Sequence, residues 1–249
     1  MTFKNKNNAY FIIVLLLVLI MYIPLFTLKF KIIFGLTEED HLYENFQAIT
    51  FLLTSFLMLF LYIKSNTTGE KYIFNSNRNI YFLLLAVFFF FCFGEEISWG
   101  QRIFGFETPV SMSAVNSQNE TNLHNLWFFE SFDKKVVTKS GLALWFSSAR
   151  IFALIWLVYC FLIPLSDHLF SFFHSIYKKL SFPVVPLWLG TLFVIAHLVS
   201  KLAEHLWLYS EEQPVIEIKE ATFSFLYLVV GIVFMIKYYR NRAARAEQS

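Results

Sequence analysis

The stretch Ile80-Tyr-Phe-Leu-Leu-Leu-Ala-Val-Phe-Phe-Phe-Phe-Cys-Phe-Gly-Glu-Glu96 decides the fold of this chain. It is an apolar run with four consecutive phenylalanines that ends in two adjacent carboxylates, Glu95 and Glu96. The run approaches the roughly 20 apolar residues that a helix needs to cross a lipid bilayer. Charged groups near hydrocarbon depth are costly, so we expect these two glutamates to be paired and to belong to a functional site.

The composition extends this interpretation to the whole chain. The sequence is 57% apolar and 20% aromatic, with 15% charged residues, whereas a soluble domain carries about 25% charged residues. We predict an all-α, polytopic transmembrane helix bundle, formed by one domain over residues 1–249. Its six predicted spans cover residues 10–28, 46–63, 80–97, 142–165, 184–209 and 222–239.

The distribution of charge predicts the orientation of the bundle. If the N-terminus is cytoplasmic, the inner segments hold 11 basic and 3 acidic residues, and the rest of the chain holds 9 basic and 15 acidic residues. Lysine and arginine favour cytoplasmic loops. We therefore predict that both termini lie in the cytoplasm and that the long loop over residues 100–140 lies outside, with an interfacial segment around Trp127-Phe-Phe129.

The acidic pair of the third span is the first candidate for a site. Adjacent helix positions differ by about 100°, so Glu95 and Glu96 cannot both face one partner. One carboxylate would act as a base or a metal ligand, and the other would pair with a cation. The alternative is that both acids simply end a span at the interface and are braced by Arg102.

The fifth span carries a second polar group. His197, Lys201, Glu204 and His205 fall within an arc of about 100° on one helical face. Lys201 can pair with Glu204, so this face could be a structural polar seam rather than a site. The two histidines are about 12 Å apart along the helix axis, which is too far for both to bind one metal directly.

The outer loop and two further spans supply the remaining candidates. The loop is rich in asparagine between Asn116 and Asn125, which is often only a turn-forming pattern. Within it, His124 is the one histidine that could descend onto the carboxylates of the third and fifth spans. Glu44 shares a helical face with Gln47 near the start of the second span, and Glu217 and Glu220 open the sixth. We predict that Arg150, inside the fourth span, pairs with one of these acids within the bundle.

Together these positions predict one polar site near the outer face. Its proposed catalytic residues are Glu95, Glu96, His124, Glu204 and His205. Its proposed substrate-binding residues are Glu44, Arg102, Arg150, His197 and Lys201. Carboxylates and histidines crowded into a partly dry site shift one another's proton affinities, which separates acid from base roles.

Residues 94–109, Gly-Glu-Glu-Ile-Ser-Trp-Gly-Gln-Arg-Ile-Phe-Gly-Phe-Glu-Thr-Pro, and residues 119–125, Asn-Glu-Thr-Asn-Leu-His-Asn, carry a resemblance to a known family. They resemble the signature of an uncharacterised family of bacterial multi-pass membrane proteins. The resemblance extends over most of the chain and implies no particular activity. With the charge asymmetry, it leads us to expect the bacterial cytoplasmic (inner) membrane.

A more distant likeness is to the alkaline ceramidase and adiponectin-receptor superfamily of intramembrane hydrolases. The shared features are Glu and Ser near one membrane face and His on a late helix. This likeness implies a divalent metal such as zinc, for which Glu96, His124 and His205 are the candidate ligands. The chain differs in its six predicted spans and in lacking His-x-x-x-His on its last helix.

Three classes of function remain open at this stage. The first is a hydrolase or transferase that acts on a lipid or a lipid-linked substrate at the outer leaflet. The second is a non-catalytic partner or assembly factor in a membrane complex, and the third is an ion-coupled permease. In each case the partner is the lipid bilayer, and we expect no nucleic-acid ligand.

Overall fold

The computed structural model describes residues 3–38, 41–66, 71–130, 139–210 and 212–247, and it leaves out the side chains of residues 3–6, 102, 143 and 246. In these segments the chain is helical, apart from loops and an isolated antiparallel bridge between Asn116 and Leu126. Five helical segments are long and apolar enough to cross a membrane: Asn7–Thr27, Phe30–Ser65, Ser148–Leu169, Leu187–Leu206 and Gln213–Arg245.

The helices follow one another along the chain. In order they are α1 (Phe3–Thr27), α2 (Phe30–Thr37), α3 (Leu42–Ser65), α4 (Ile80–Glu96), α5 (Gln101–Phe104), α6 (Val110–Ser113), α7 (Leu142–Trp145), α8 (Ser148–Ile155), α9 (Ile163–Leu169), α10 (Ser171–Lys179), α11 (Leu187–Leu206) and α12 (Gln213–Ala246). A π-helical segment, Trp156–Leu162, joins α8 to α9.

The six predicted spans all fall on helices, with differences in length. The third prediction forms α4, whose 17 residues extend roughly 25 Å, slightly less than a hydrocarbon core of about 30 Å. For this reason α4 is not among the five long helices. The sixth prediction was too short, because α12 covers Gln213–Ala246 and continues past the apolar core into a basic tail.

The fourth predicted span, residues 142–165, is wrong at its beginning. A separate short helix, α7, ends at Trp145, and the long helix starts only at Ser148, after Ser147 in an extended conformation. That helix then continues to Leu169 through the π-helical segment. The apolar residues Leu142 and Trp145 are exposed and belong to the loop rather than to the span.

Helix α3 packs between α4 and α12. Hydrogen bonds join it to both neighbours, because Thr50 Oγ1 donates to Ser224 Oγ at 2.8 Å and Ser55 Oγ donates to the Ala86 carbonyl at 2.8 Å. Polar contacts of this kind hold helices together where lipid offers no alternative partner.

Stacked and edge-on rings form the core between these helices. The ring of Tyr227 lies 5.0 Å from that of Phe89 and 5.1 Å from that of Phe193. Phe51 on α3 completes the cluster, and all four side chains are almost entirely buried. Aromatic pairs at these separations contribute beyond their buried area.

Helix α11 approaches the π-helical segment very closely at Gly190. A Cβ atom at this position would overlap the backbone carbonyl oxygen of Cys160. Small residues allow helix backbones to come together in this way. The glycine in the fifth predicted span therefore has a packing function.

The bundle has two ends with different chemistry. The loop end is formed by α5, α6 and residues 114–130, next to the start of α3 and the end of α4. The basic end carries α10 and the last turns of α12, with Lys178, Lys237 and Arg242. Within the predicted outer loop, residues 131–138 lie outside the described residues.

Candidate functional site

A left-handed turn ends α4 and brings the chain back onto it. Ser98, Trp99 and Gly100 have φ values of 47°, 52° and 87°. Two non-glycine residues in this region carry strain, which persists where surrounding contacts hold it. Gly94 makes the turn possible, since a Cβ there would lie 2.9 Å from the Trp99 ring.

This turn removes the helical register on which the predicted brace between Arg102 and the acidic pair was based. That prediction needed α4 to continue past Gly100, but α4 ends at Glu96 and a separate helix, α5, begins at Gln101. Arg102 lies in α5, and its side chain is outside the described set.

Glu95 is the anchor of the loop. Its Oε1 accepts a hydrogen bond of 2.6 Å from Trp99 Nε1, and its Oε2 accepts bonds of 2.7 Å and 2.8 Å from the backbone N–H groups of Leu123 and His124. The His124 ring nitrogen Nδ1 lies 3.3 Å from the same Oε2 atom. With 5% of its surface exposed, Glu95 is engaged on both oxygens and acts as a positioning group.

A buried polar network holds the loop in shape around Glu120. The Glu120 Oε2 atom accepts hydrogen bonds of 2.9 Å from Ser98 Oγ and 2.6 Å from Asn122 Nδ2. Asn116 in turn donates to Asn122 and accepts at 3.1 Å from the Glu120 backbone N–H. These asparagines are buried network members, so the interpretation as simple turn-formers was too limited.

Glu96 has a different hydrogen-bond partner from those of Glu95, although both carboxylates act on His124. Its Oε1 accepts a hydrogen bond of 2.7 Å from Nε2 of Gln47 on α3. Its Oε2 has no hydrogen-bond partner among the described residues. His124, Glu220 and Glu44 are near enough to interact with its charge.

A cavity of about 270 Å³ lies beside Glu96. Its walls are mainly apolar side chains from α3, α4, α8 and the loop, and they include Phe88, Phe91, Phe129, Ile151, Phe152 and Ile155. The polar groups that line it are Gln47, Glu95, Glu96, His124, Ser148 and Glu220. An apolar pocket with a few converging polar groups is the usual form of a small-molecule site.

Among the described residues, a second oxygen beside this cavity, on Gln47, also lacks a hydrogen-bond partner. Gln47 is 4% exposed, and its Oε1 has no hydrogen-bond partner in the described part of the chain. Leaving a buried acceptor unsatisfied costs about 1–3 kcal/mol. A ligand that donates a hydrogen bond would remove this cost, so the cavity favours ligands with a hydroxyl or an amide N–H.

The electrostatic surroundings of His124 favour its charged form. Partial burial opposes the charge, but the hydrogen bond to Glu95 and the carboxylates of Glu96 and Glu220 outweigh that effect and raise the pKa of His124 above its ordinary value. The imidazole side chain is 40% exposed. A protonated imidazole beside Glu96 is suited to donate a proton.

This shift predicts that attachment of the loop depends on pH. Because the pKa is raised in the folded state, the stabilisation is complete below about pH 6.5 and is lost as the pH rises through the raised pKa. Limited proteolysis of the detergent-solubilised protein between pH 5 and 9 should show stronger protection of residues 101–127 at low pH. His124→Gln keeps the backbone contacts and should remove the pH dependence. Equal protection of the wild-type loop at every pH would contradict this prediction.

The polar group of the fifth predicted span is not part of the cavity. His197, Lys201, Glu204 and His205 all lie on α11, and none of them lines the cavity in the described structure. The predicted pair is present, with Lys201 Nζ 2.5 Å from Glu204 Oε2. The side chain of Lys201 is 57% exposed, so it is not a buried cation.

Two other predicted residues have different surroundings from those expected. The guanidinium carbon of Arg150 lies 5.3 Å from the centroid of the Trp145 ring, and Arg150 has no ion pair in the part of the chain that the structure describes. Its predicted pairing with a bundle acid is wrong, because α8 starts at Ser148 and leaves Arg150 exposed in the first turn. Glu44 lies in the first turn of α3 and influences Glu96 only through its charge.

The three candidate metal ligands do not converge. Among the described residues, no group of three His, Cys, Asp or Glu side chains could hold a metal ion. Glu96 and His124 share the cavity, but His205 on α11 does not join them. The three-residue ligand set that the distant likeness implies is therefore not assembled among the described residues.

Comparisons with known proteins do not extend this picture. The chain matches no protein-family model, no curated protein and no solved structure. The resemblance of residues 94–109 to a bacterial membrane-protein family stays a prediction, and the functional assignment depends on the cavity.

Two residues that the sequence-based interpretation noted but gave no role in the site lie beside Glu96 in the structure. Gln47 and Glu220 lie on α3 and α12, and both line the cavity. A polar signal was present, since each interrupts a largely apolar helix close to its loop end. Their convergence on one carboxylate depends on how α3, α4 and α12 pack.

Proposed function

We propose that this protein is an integral-membrane hydrolase or transferase that acts on a lipid or a lipid-linked substrate at the loop end of the bundle. The observation that carries the proposal is the 270 Å³ cavity, in which Glu96, His124 and the unpartnered Gln47 oxygen lie within apolar walls. Walls of this kind suit an acyl or isoprenoid chain, and the polar groups suit its headgroup.

In this proposal Glu96 is the general base. Its Oε1 is held by Gln47, which leaves Oε2 available to take a proton from a water molecule or a substrate hydroxyl. His124 is the general acid that protonates the leaving group, and Glu95 positions His124 through both backbone and ring contacts. Positioned acid–base groups contribute about 10²–10⁴-fold to reaction rates.

We further propose that the chain crosses the membrane six times, through the five long helical segments and α4. The protein would lie in the inner membrane of a bacterium, with both termini in the cytoplasm. The support is the concentration of basic residues at the basic end, including Lys178, Lys179 and Lys237, in agreement with the preference of lysine for the cytoplasmic side. The loop end and its cavity would then face the outer leaflet.

Turnover by the purified protein tests this function. We expect release of headgroups from a panel of phospholipids and polyprenyl phosphates, with a loss of about 10²–10⁴-fold in kcat for Glu96→Gln and His124→Gln. His205→Ala and Glu204→Gln serve as controls, because both residues belong to the predicted site but lie outside the cavity.

The controls decide whether the cavity is the site. Full activity in Glu96→Gln, together with loss of activity in His205→Ala or Glu204→Gln, would move the chemistry to α11 and overturn the assignment. Thermal melting of each variant in detergent separates loss of turnover from loss of folding.

A non-catalytic role in a membrane complex is the second candidate. The observation that favours it is the structural use of the motif residues, since Glu95, Ser98, Glu120 and Asn122 all hold the loop. In that case Glu96→Gln would leave the activity of the complex unchanged. Glu95→Ala, which disrupts the loop, would release a partner protein.

A further inference from the structure

The basic end of the bundle contains a second concavity, separate from the cavity at the loop end. It encloses about 620 Å³ and lies between the end of α3, the start of α4, the helix α10 and the last turns of α12. We call this concavity the basic groove. Its interpretation does not depend on the proposed function.

Cations from two separate helices line the basic groove. Lys178 comes from α10, and Lys237, Arg242 and Arg245 come from α12. At about 100° per residue, the three α12 positions fall within an arc of about 140° that also contains Phe234, Tyr238 and Asn241. One face of the helix is therefore directed into the groove.

Three of these cations, Lys178, Lys237 and Arg242, have little neutralisation within the groove. The lining contains one acid, Asp167, whose Oδ1 lies 3.1 Å from His174 Nδ1. Lys178, Lys237 and Arg242 have no ion pair in the segments that the structure describes. Like charges gathered on a concave surface create a local potential that attracts an anion.

The floor of the groove is built from fixed polar contacts. Asn79 Nδ2 donates to the Ser181 carbonyl at 2.7 Å, and the Asn79 backbone N–H donates to Ser65 Oγ at 2.9 Å. Asn79 is 4% exposed, and Ser181 has a φ of 51°, in the left-handed region. The contact between the start of α4 and the chain before α11 therefore gives the groove a defined shape.

Aromatic rings form the remaining wall. Phe82, Phe182 and Phe234 line the groove together with Tyr177 and Tyr238. The rings of Tyr177 and Phe182 are 5.8 Å apart. A ligand that combines an anionic group with an apolar or planar part matches both walls.

The placement of the cations is more specific than membrane orientation requires. A preference for basic residues on one side of the membrane is satisfied by any exposed position. Lys179 and Arg240 are neighbours of groove residues and are exposed, but neither lines the groove. The orientation of the protein in the membrane does not by itself explain why cations of α10 and α12 line the same aromatic groove.

We propose that the basic groove binds a phosphate ester, with Lys178 and Arg242 as the cations that contact the phosphate from opposite helices. Arginine and lysine are the side chains that proteins use for phosphate, arginine through two parallel hydrogen bonds. The phosphate can belong to the headgroup of an anionic glycerophospholipid at the membrane surface or to a soluble phosphate ester.

Binding by the delipidated protein in a non-ionic detergent tests this site. Two ligands are titrated at low salt, glycerol phosphate for the soluble source and dioleoylphosphatidylglycerol in mixed micelles for the lipid source. We expect the Lys178→Gln/Arg242→Gln variant to bind its ligand at least tenfold more weakly. The matched Lys179→Gln/Arg240→Gln variant, with the same change in net charge, should stay within about twofold of wild type.

The two ligands identify the source of the phosphate. Saturable binding of the lipid alone assigns the groove to a headgroup, and binding of glycerol phosphate assigns it to a soluble ester. Absence of binding by both, or equal weakening in the two double variants, would overturn the proposal in favour of a diffuse positive surface. All four side chains are exposed, and melting temperatures check that the variants are folded.

Discussion

Replacing Glu95 with alanine is expected to release the loop from the bundle. The change leaves the backbone N–H groups of Leu123 and His124 and the indole N–H of Trp99 without their acceptor. Hydrogen bonds to a charged group contribute about 1.5–3 kcal/mol each, and these bonds act together, so we expect a total loss of about 3–5 kcal/mol. Limited proteolysis should then show new cleavage between Ile103 and Trp127.

The neighbouring carboxylate provides a matched control for this result. Glu96→Ala removes the same side chain one position further along α4, but Glu96 holds Gln47 rather than the loop. We expect the loop of the Glu96→Ala variant to resist protease as the wild-type loop does. If Glu95→Ala and Glu96→Ala give the same cleavage pattern, Glu95 is not the anchor of the loop.

Gly190→Ala is expected to have the largest effect on stability of any methyl addition in the bundle. The new Cβ would overlap the carbonyl oxygen of Cys160, which is backbone and cannot rotate away. Overpacking costs about 1–3 kcal/mol where side chains can adjust, and more where they cannot. We expect a loss of about 3 kcal/mol or more, seen in detergent as a fall in Tm of roughly 10 °C.

Two other helical glycines calibrate this prediction. A Cβ added at Gly35 in α2 would have no atom within 4 Å, so Gly35→Ala should be neutral or slightly stabilising. A Cβ at Gly231 would lie 3.0 Å from Leu57 Cδ1, a side-chain atom that can move, so its cost should be intermediate. A Gly190→Ala protein that melts like Gly35→Ala would show that α11 does not approach the π-helical segment as described.

The helical class of the protein follows from short-range information. Each of the six apolar runs lies on a helix. In lipid the backbone N–H and C=O groups cannot bond to water, and a helix satisfies them within the segment. The predicted boundaries of two spans were less accurate. Helix α8 starts only after Ser147, whose backbone is extended, and α12 continues past the apolar core into a basic tail.

The sequence also predicted that Glu95 and Glu96 face different partners, because adjacent helix positions diverge. It could not assign those partners. The left-handed turn at Ser98 and Trp99 brings the loop back over Glu95, and a turn of this kind in non-glycine residues depends on contacts elsewhere. The predicted convergence of His205 and Arg150 on the same site required helix rotations that the packing does not adopt.

The amino-acid sequence by itself determined the helical class of the chain, the run of apolar segments and the asymmetry of charge between the ends, because these depend on composition and on periodicity along one segment. The tertiary structure decided which carboxylate holds the loop and which one bonds to Gln47 beside the cavity. It also gathered Lys178 and Arg242 around one groove. These arrangements join residues far apart in the chain, so they depend on how the helices rotate and pack against each other.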